Sequence, residues 1–262
     1  MHYFVAYGEY DQFTSDKDNF HVHFLKQLKH EEEFLQYIVA ESLKELFMNH
    51  VNIGDLPKIM LANASMLFNK MLLAEFENDH KYPVLYGYYY KNHNCFEDIF
   101  AHVIEKVKRA AKFLMEDAFL QKLFYCDKLN FYQVEEGVAF AELGDVRIYT
   151  DLLFQVCLNG KNYFVSFDRE DRDFIRFFHL YYGVNKKHMR IESIKSVLID
   201  TVNCKVNVMD NYDLNISETI DEICRNYAEI PKFDCNFDYR YIERTPDLSK
   251  CELCRFKEIC IK

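Results

Sequence analysis

Apolar residues recur at three- and four-residue steps from Phe20 to Met48. They are Leu25, Leu28, Phe34, Leu35, Ile38, Val39, Leu43, Leu46 and Phe47, with Glu31, Glu32, Glu33, Lys44 and Glu45 between them. That period predicts an amphipathic helix. Asn52-Ile53-Gly54-Asp55-Leu56-Pro57 breaks it, and a second helix is expected over Ala62 to Glu77. Tyr82 to Tyr90 reads as a connector or short strand. A long helix follows over roughly Phe96 to Phe124, its apolar stripe built from Ile99, Val103, Val107, Ala110, Ala111, Leu114 and Phe119.

After Cys126 the pattern changes. Phe131 to Phe140 and Val146 to Leu158 alternate and favour β-branched and aromatic residues, which predicts strands. Asn159-Gly160 between Asp151–Leu158 and Asn162–Phe167 is a two-residue hairpin signal. A helix is expected over Asp171 to Tyr182, then a strand over Ile194 to Val208 interrupted by Asn203 and Asn207. A further helix over Ser217 to Tyr227 has Ser217 as its cap and Ile220, Ile223 and Cys224 facing inward. Helices, a β-meander, a helix and a further strand together predict a mixed α/β fold with an N-terminal helical portion. The expected division is a helical region over 1–90, an α/β core over 91–230 and a cysteine-rich tail over 231–262.

With 262 residues, half of them apolar, the chain can bury a full core. Its apolar runs are short and broken by charge, so no membrane partner is expected. The first residues carry Glu9, Asp11, Asp16 and Asp18, which is not signal-peptide chemistry, and a cytoplasmic location is expected. In that compartment nine cysteines point to metal binding and buried thiols in preference to disulfides. Six of them, Cys95, Cys126, Cys157, Cys204, Cys224 and Cys235, lie scattered and each taken alone reads as a small buried hydrophobe. The formal charge of −10 opposes a general attraction to nucleic acid but leaves room for a local basic groove.

The chemistry concentrates at the C-terminus. Cys251-Glu252-Leu253-Cys254 sets two thiolates at the spacing with which one loop grips one metal centre, and Cys260 follows after a short amphipathic turn. A closed site needs a fourth ligand. Cys235 is nearest in sequence, Cys95 is the best distant candidate, and His93 or His102 could also serve. Zinc and an iron–sulfur cluster both suit these ligands.

Cys-Glu-Leu-Cys-Arg-Phe-Lys-Glu-Ile-Cys, following Pro246, resembles the C-terminal iron–sulfur signature of RecB-like nucleases of the PD-(D/E)xK superfamily. That group includes AddB-type helicase-nucleases and CRISPR-associated exonucleases. The resemblance implies a restriction-endonuclease-like mixed sheet flanked by helices, and a 4Fe–4S cluster held by Cys251, Cys254, Cys260 and an upstream cysteine, here Cys95. It also implies a Mg²⁺ or Mn²⁺ site. The family's helical histidine corresponds to His102, followed by Glu105, and its metal-binding aspartate corresponds to Asp151. The strand that should end in an acid, any residue and lysine is Tyr163 to Asp168, and here the pattern departs. If Ser166 takes the acid position, Asp168 takes that of lysine; if Asp168 is the acid, Glu170 stands where lysine belongs. In a later helix Tyr181 keeps the tyrosine of the Gln-x-x-x-Tyr motif while Phe177 replaces its glutamine.

The candidate catalytic residues are therefore His102, Asp151 and Asp168, in a site expected to be altered or degenerate. A phosphodiesterase would use carboxylates to hold the metal and a lysine to orient water and balance developing charge. Lys161 at the hairpin is too early to serve, and a lysine from elsewhere, such as Lys106 or Lys108 on the long helix, could take the role. Lys108, Arg109 and Lys112 share a helix face that suits phosphates, and Lys186, Lys187 and Arg190 form a smaller basic cluster. DNA is the expected partner, with protein partners possible. The rival expectation from another class is an interaction or assembly protein whose tail is a structural zinc knot.

Overall fold

The structure, a computed structural model, describes residues 24–49, 52–73, 82–90, 96–125, 139–144, 146–229, 252 and 254–255. The chain divides into two compact units, one made of residues 1–42, 58–107 and 233–262 and the other of residues 43–57 and 108–232.

In the first unit β1 (Leu28–Lys29) pairs in parallel with β2 (Val84–Leu85). This short strand divides the apolar run that begins at Phe20, so α1 (Glu31–Met48) starts only after His30. The His30 N–H donates to Glu33 Oε2 at 3.0 Å, and three glutamates in the first turn complement the helix dipole. α2 (Leu56–Leu72) begins earlier than its periodicity suggests, because residues after the Asn52 turn enter the helix directly. Within the segment expected to be a connector or strand, only Val84–Leu85 is strand, and Tyr86–Tyr90 is a helical turn, α3. Buried Phe34 and Phe68 pack together, and half-buried Phe96 and Phe100 lie edge-on to Phe68, Phe100 at 4.8 Å.

The long helix expected to Phe124 is two helices. α4 (Phe96–Glu116) ends where Asp117 Oδ1 accepts the N–H groups of Phe119 and Leu120 at 3.0 and 2.9 Å, starting α5 (Ala118–Phe124). The cap offers the backbone a better partner than continuation would.

The second unit is a mixed α/β body. β3 (Ala139–Leu143) and β4 (Val146–Thr150) form an antiparallel hairpin. β5 (Leu152–Leu158), β6 (Lys161–Phe167), β7 (Ile194–Asp200) and β8 (Lys205–Asp210) form one sheet in that order. β5–β6 and β7–β8 are antiparallel, whereas β6 and β7 are parallel and joined through α6 (Arg172–Asn185). Residues of alternate parity on the strands take opposite faces. Phe164, Ser166, Ile194 and Ser196 meet α6, whereas Tyr163 meets Phe119 of α5 and Phe154 meets Phe47 and Phe124. The sheet is thus covered by helices on both faces. The strand expected over Ile194 to Val208 turns at Thr201–Cys204, because the Asp200 carboxylate accepts the N–H groups of Val202 and Asn203. In α7 (Ile216–Glu229) the capping oxygen belongs to Asn215 and not to Ser217, since Asn215 Oδ1 accepts the Glu218 N–H at 3.2 Å. Ile220 and Ile223 pack on the core, but Cys224 is exposed. Cys157 at a strand end and Cys204 at φ 53° in a turn are half-buried, so these three thiols are not buried filler.

Candidate functional site

Three features of the chain carry candidate chemistry, and two of them lie in different units. At one end of the four-stranded sheet Asp151 immediately precedes β5 and Asp168 immediately follows β6, which the Asn159-Gly160 turn makes neighbours. This is the carboxyl end of the parallel pair, because the Asp168 N–H donates to Ile199 O at 2.9 Å. Open α/β sheets place ligands at such ends.

Both carboxylates are already engaged. The Asp168 side chain is 3 % exposed and receives Arg172 Nε at 2.6 Å on one oxygen. Its other oxygen receives Arg172 Nη2 and Asn207 Nδ2, both at 2.8 Å. Asp151 Oδ2 receives Arg169 Nη2 at 2.5 Å. The hydrogen bond and charge of Asp168 raise the Arg172 pKa above its already high value. At Asp200, burial raises the carboxyl pKa, but bonds from Asn203 and Val202 and the charge of Arg172 leave it below the ordinary value. A divalent ion needs carboxylate oxygens with unspent charge. At Asp168 a bidentate guanidinium and an amide engage both oxygens and offset its charge. Ser166 offers no ligand, since it is buried against α6 with its hydroxyl 2.8 Å from His179 Nε2. Arg169, Arg172 and Asn207 were not visible as members of this cluster. The available signal was the Asp168–Arg172 spacing of four residues at a helix start.

His102 lies in the first unit with its side chain 59 % exposed and Nε2 3.2 Å from Glu31 Oε2. Burial raises the Glu31 carboxyl pKa, and Lys106 and His102 more than reverse that shift. Lys106 is therefore committed to Glu31. Of the basic face, Lys108, Arg109 and Lys112 are exposed on α4. Arg109 donates to the Val202 carbonyl, and Lys112 stands 3.9 Å from Glu116.

The cysteine tail is described at three residues, Glu252, Cys254 and Arg255; Cys95, Cys235, Cys251, Cys260 and His93 lie outside the described residues. Around the half-buried Cys254 the backbone is tied to the first unit at two carbonyls. Tyr86 Oη donates to Glu252 O at 2.6 Å and Tyr90 Oη to Arg255 O at 3.0 Å. The Arg255 guanidinium grips Glu33 Oε1 and Oε2 at 2.9 and 3.1 Å. Burial raises the Glu33 carboxyl pKa, but Arg255 and the His30 N–H outweigh it and hold the group below the usual range. The tyrosines and Glu33 were likewise missed from sequence; their signal was the run of tyrosines in Tyr86-Gly87-Tyr88-Tyr89-Tyr90, five residues before Cys95. Among the described residues no group of three or more metal-ligating side chains converges, and no helix is long and apolar enough to cross a membrane.

Compared with protein-family models, with curated proteins and with solved structures, the chain finds no match.

Proposed function

We propose that this chain is a DNA-handling protein on a RecB-like nuclease framework, with a cysteine-bound 4Fe–4S centre and an altered catalytic site. It binds DNA and does not cleave it efficiently. The observation that carries this reading is the Asp168–Arg172 pair. An arginine neutralises the acid beside which the resemblance requires a metal and a lysine. The succession of β5, a tight turn, β6 and α6 supports the framework, because the resemblance implies a strand, a hairpin, a second strand and a later helix in that order. The cysteine centre is supported by the anchoring of the tail. Cys254 is held beside Arg255, which Tyr90 binds, and Cys95 follows Tyr90 by five residues, a reach of at most roughly 18 Å.

Each residue then has a role that needs no metal at the sheet end. Arg172 and Asn207 keep the buried Asp168 charge satisfied, Arg169 does the same for Asp151, and the exposed face of α4 supplies cations for phosphates.

The test is incubation of anaerobically purified protein with labelled single- and double-stranded DNA in Mg²⁺ or Mn²⁺, with Asp151→Ala as control. Retention of DNA without products is expected. Robust metal-dependent cleavage that disappears in the control would overturn the altered-site reading.

A further inference from the structure

We propose that the outer face of the β3–β4 hairpin is a stacking platform for single-stranded nucleic acid, with Tyr149 receiving a base and Arg147 and Lys186 facing backbone phosphates. The inference rests on the DNA-handling reading and names the form of nucleic acid taken. Alternation fixes what each strand offers. Ala139, Ala141 and Ile148 point inward and belong to the core built on α6, so Phe140, Glu142, Arg147 and Tyr149 occupy the opposite face. The register makes Phe140 and Tyr149 a directly opposed pair, with ring centroids 6.0 Å apart, and sets Glu142 opposite Arg147.

Two cations attend the Phe140 ring. Lys186 Nζ lies 4.9 Å from the Phe140 centroid and Arg147 Cζ lies 5.7 Å from it. Among the described residues of this face Glu142 is the carboxylate, 3.5 Å from Arg147 Nε, so there two positive charges meet one negative. A chain of formal charge −10 thus presents a locally cationic, aromatic surface. The hairpin is also held firmly, because Tyr181 Oη donates to the Glu142 carbonyl at 2.8 Å.

The chemistry selects the occupant. Tyr149 is 47 % exposed, an open ring on a strand face whose other side is core. An acidic protein would satisfy the cations and leave this ring without a matching surface. A duplex offers phosphates, but its base faces are covered by their neighbours. An unpaired strand offers both, a π-face for each base and a charge for each phosphate.

The experiment is fluorescence anisotropy with a labelled oligo-dT and a blunt duplex of equal length, using the full chain and its Tyr149→Ala, Tyr149→Phe and Lys186→Glu variants. Thermal unfolding is followed alongside. Loss of one stacked base should weaken oligo-dT binding about tenfold in Tyr149→Ala, while Tyr149→Phe keeps it. Lys186→Glu should weaken binding and flatten its salt dependence. Unchanged oligo-dT affinity in Tyr149→Ala, with or without a lower melting temperature, reduces the pair to hairpin support and overturns the inference while leaving DNA handling intact. Equal displacement of oligo-dT by polyglutamate of the same charge would overturn it as well, since charge alone would then explain binding. If the wild-type chain binds neither probe, the functional reading falls together with the platform.

Discussion

His179 is fully buried, and both ring nitrogens meet serine hydroxyls: Nε2 with Ser166 Oγ at 2.8 Å and Nδ1 with Ser196 Oγ at 3.0 Å. Ser196 Oγ donates its one proton to Asn211 Oδ1 at 3.1 Å, so it accepts from Nδ1–H, and Nε2 accepts from Ser166. The network is complete with a neutral ring. A second proton would place a charge in the core, and burial pushes the pKa from 6.5 down to about 3. The unfolded chain takes up that proton below about pH 6.5 and the folded chain does not, so stability rises with pH across this window. One such group contributes a slope of about 1.4 kcal/mol per pH unit. Carboxylates with lowered pKa, such as Glu33 and Asp200, add a slope of the same sign, so the difference between two proteins isolates the histidine. Urea unfolding between roughly pH 4 and 6 should show a shallower pH dependence for His179→Gln than for the wild type. Parallel curves would sink this assignment. At this scale the sequence was legible in part. Asp151 and Asp168 stood out because the resemblance to RecB-like nucleases sets them at its acidic positions. Their neutralisation did not, because Arg172 is four residues beyond Asp168, outside the two-residue window in which a lysine is sought.

At the scale of elements, the hairpin joining β5 and β6 was legible because Asn159 at φ 52° and Gly160 at φ 73° both occupy the left-handed region that this dipeptide tolerates. The break between α4 and α5 was not, and of the turn between β7 and β8 only the interruption at Asn203 was, not its cause. Asp117 and Asp200 act there through bonds to nearby backbone N–H groups, and in sequence they look like any solvated acid. Close packing of α6 on the sheet was equally hidden and yields a prediction. A Cβ on Gly183 would lie 2.7 Å from Ile194 Cδ1 and 3.2 Å from Phe164 Cζ. Ile194 is 2 % exposed and Phe164 is fully buried, so the Ile194 side-chain end must shift within the core to admit that Cβ. Gly183→Ala should gain up to about 1 kcal/mol of helix propensity and lose about 1–3 kcal/mol to overpacking. A net loss of roughly 1 kcal/mol in urea unfolding is expected, recovered by adding Ile194→Val, which removes the clashing methyl. A single variant more stable than wild type would contradict the close approach.

At the scale of the molecule, the first unit is assembled from three stretches of chain, and its last stretch, 233–262, returns from the far end. Such interleaving depends on contacts between distant residues, so local periodicity, which suggested three consecutive segments, carries no trace of it. The cysteine spacing was legible because the three lie within ten consecutive residues, whereas the contacts of Glu252 and Arg255 with Tyr86, Tyr90 and Glu33 span most of the chain. Hydrogen bonds make them at Tyr86–Glu252 and Arg255–Glu33. Those bonds alone are modest, each contributing about 0.5–3 kcal/mol. A metal centre joining Cys251, Cys254 and Cys260 to an upstream cysteine would add a closure of the same topology. In the chain-entropy model a covalent link across a loop of that size is worth roughly 5 kcal/mol. Protein purified without air should therefore be brown, and chelation or oxidation of the centre should bleach it and lower the melting temperature. Cys254→Ser should lose metal and melt earlier. Arg255→Ala should keep its metal and melt only slightly earlier, because it removes an ion pair and no ligand. A colourless, zinc-containing protein with the same thermal response would favour the rival zinc knot. If the triple serine variant at Cys251, Cys254 and Cys260 kept both its metal content and its melting temperature, no centre of either kind would join the chain at these residues.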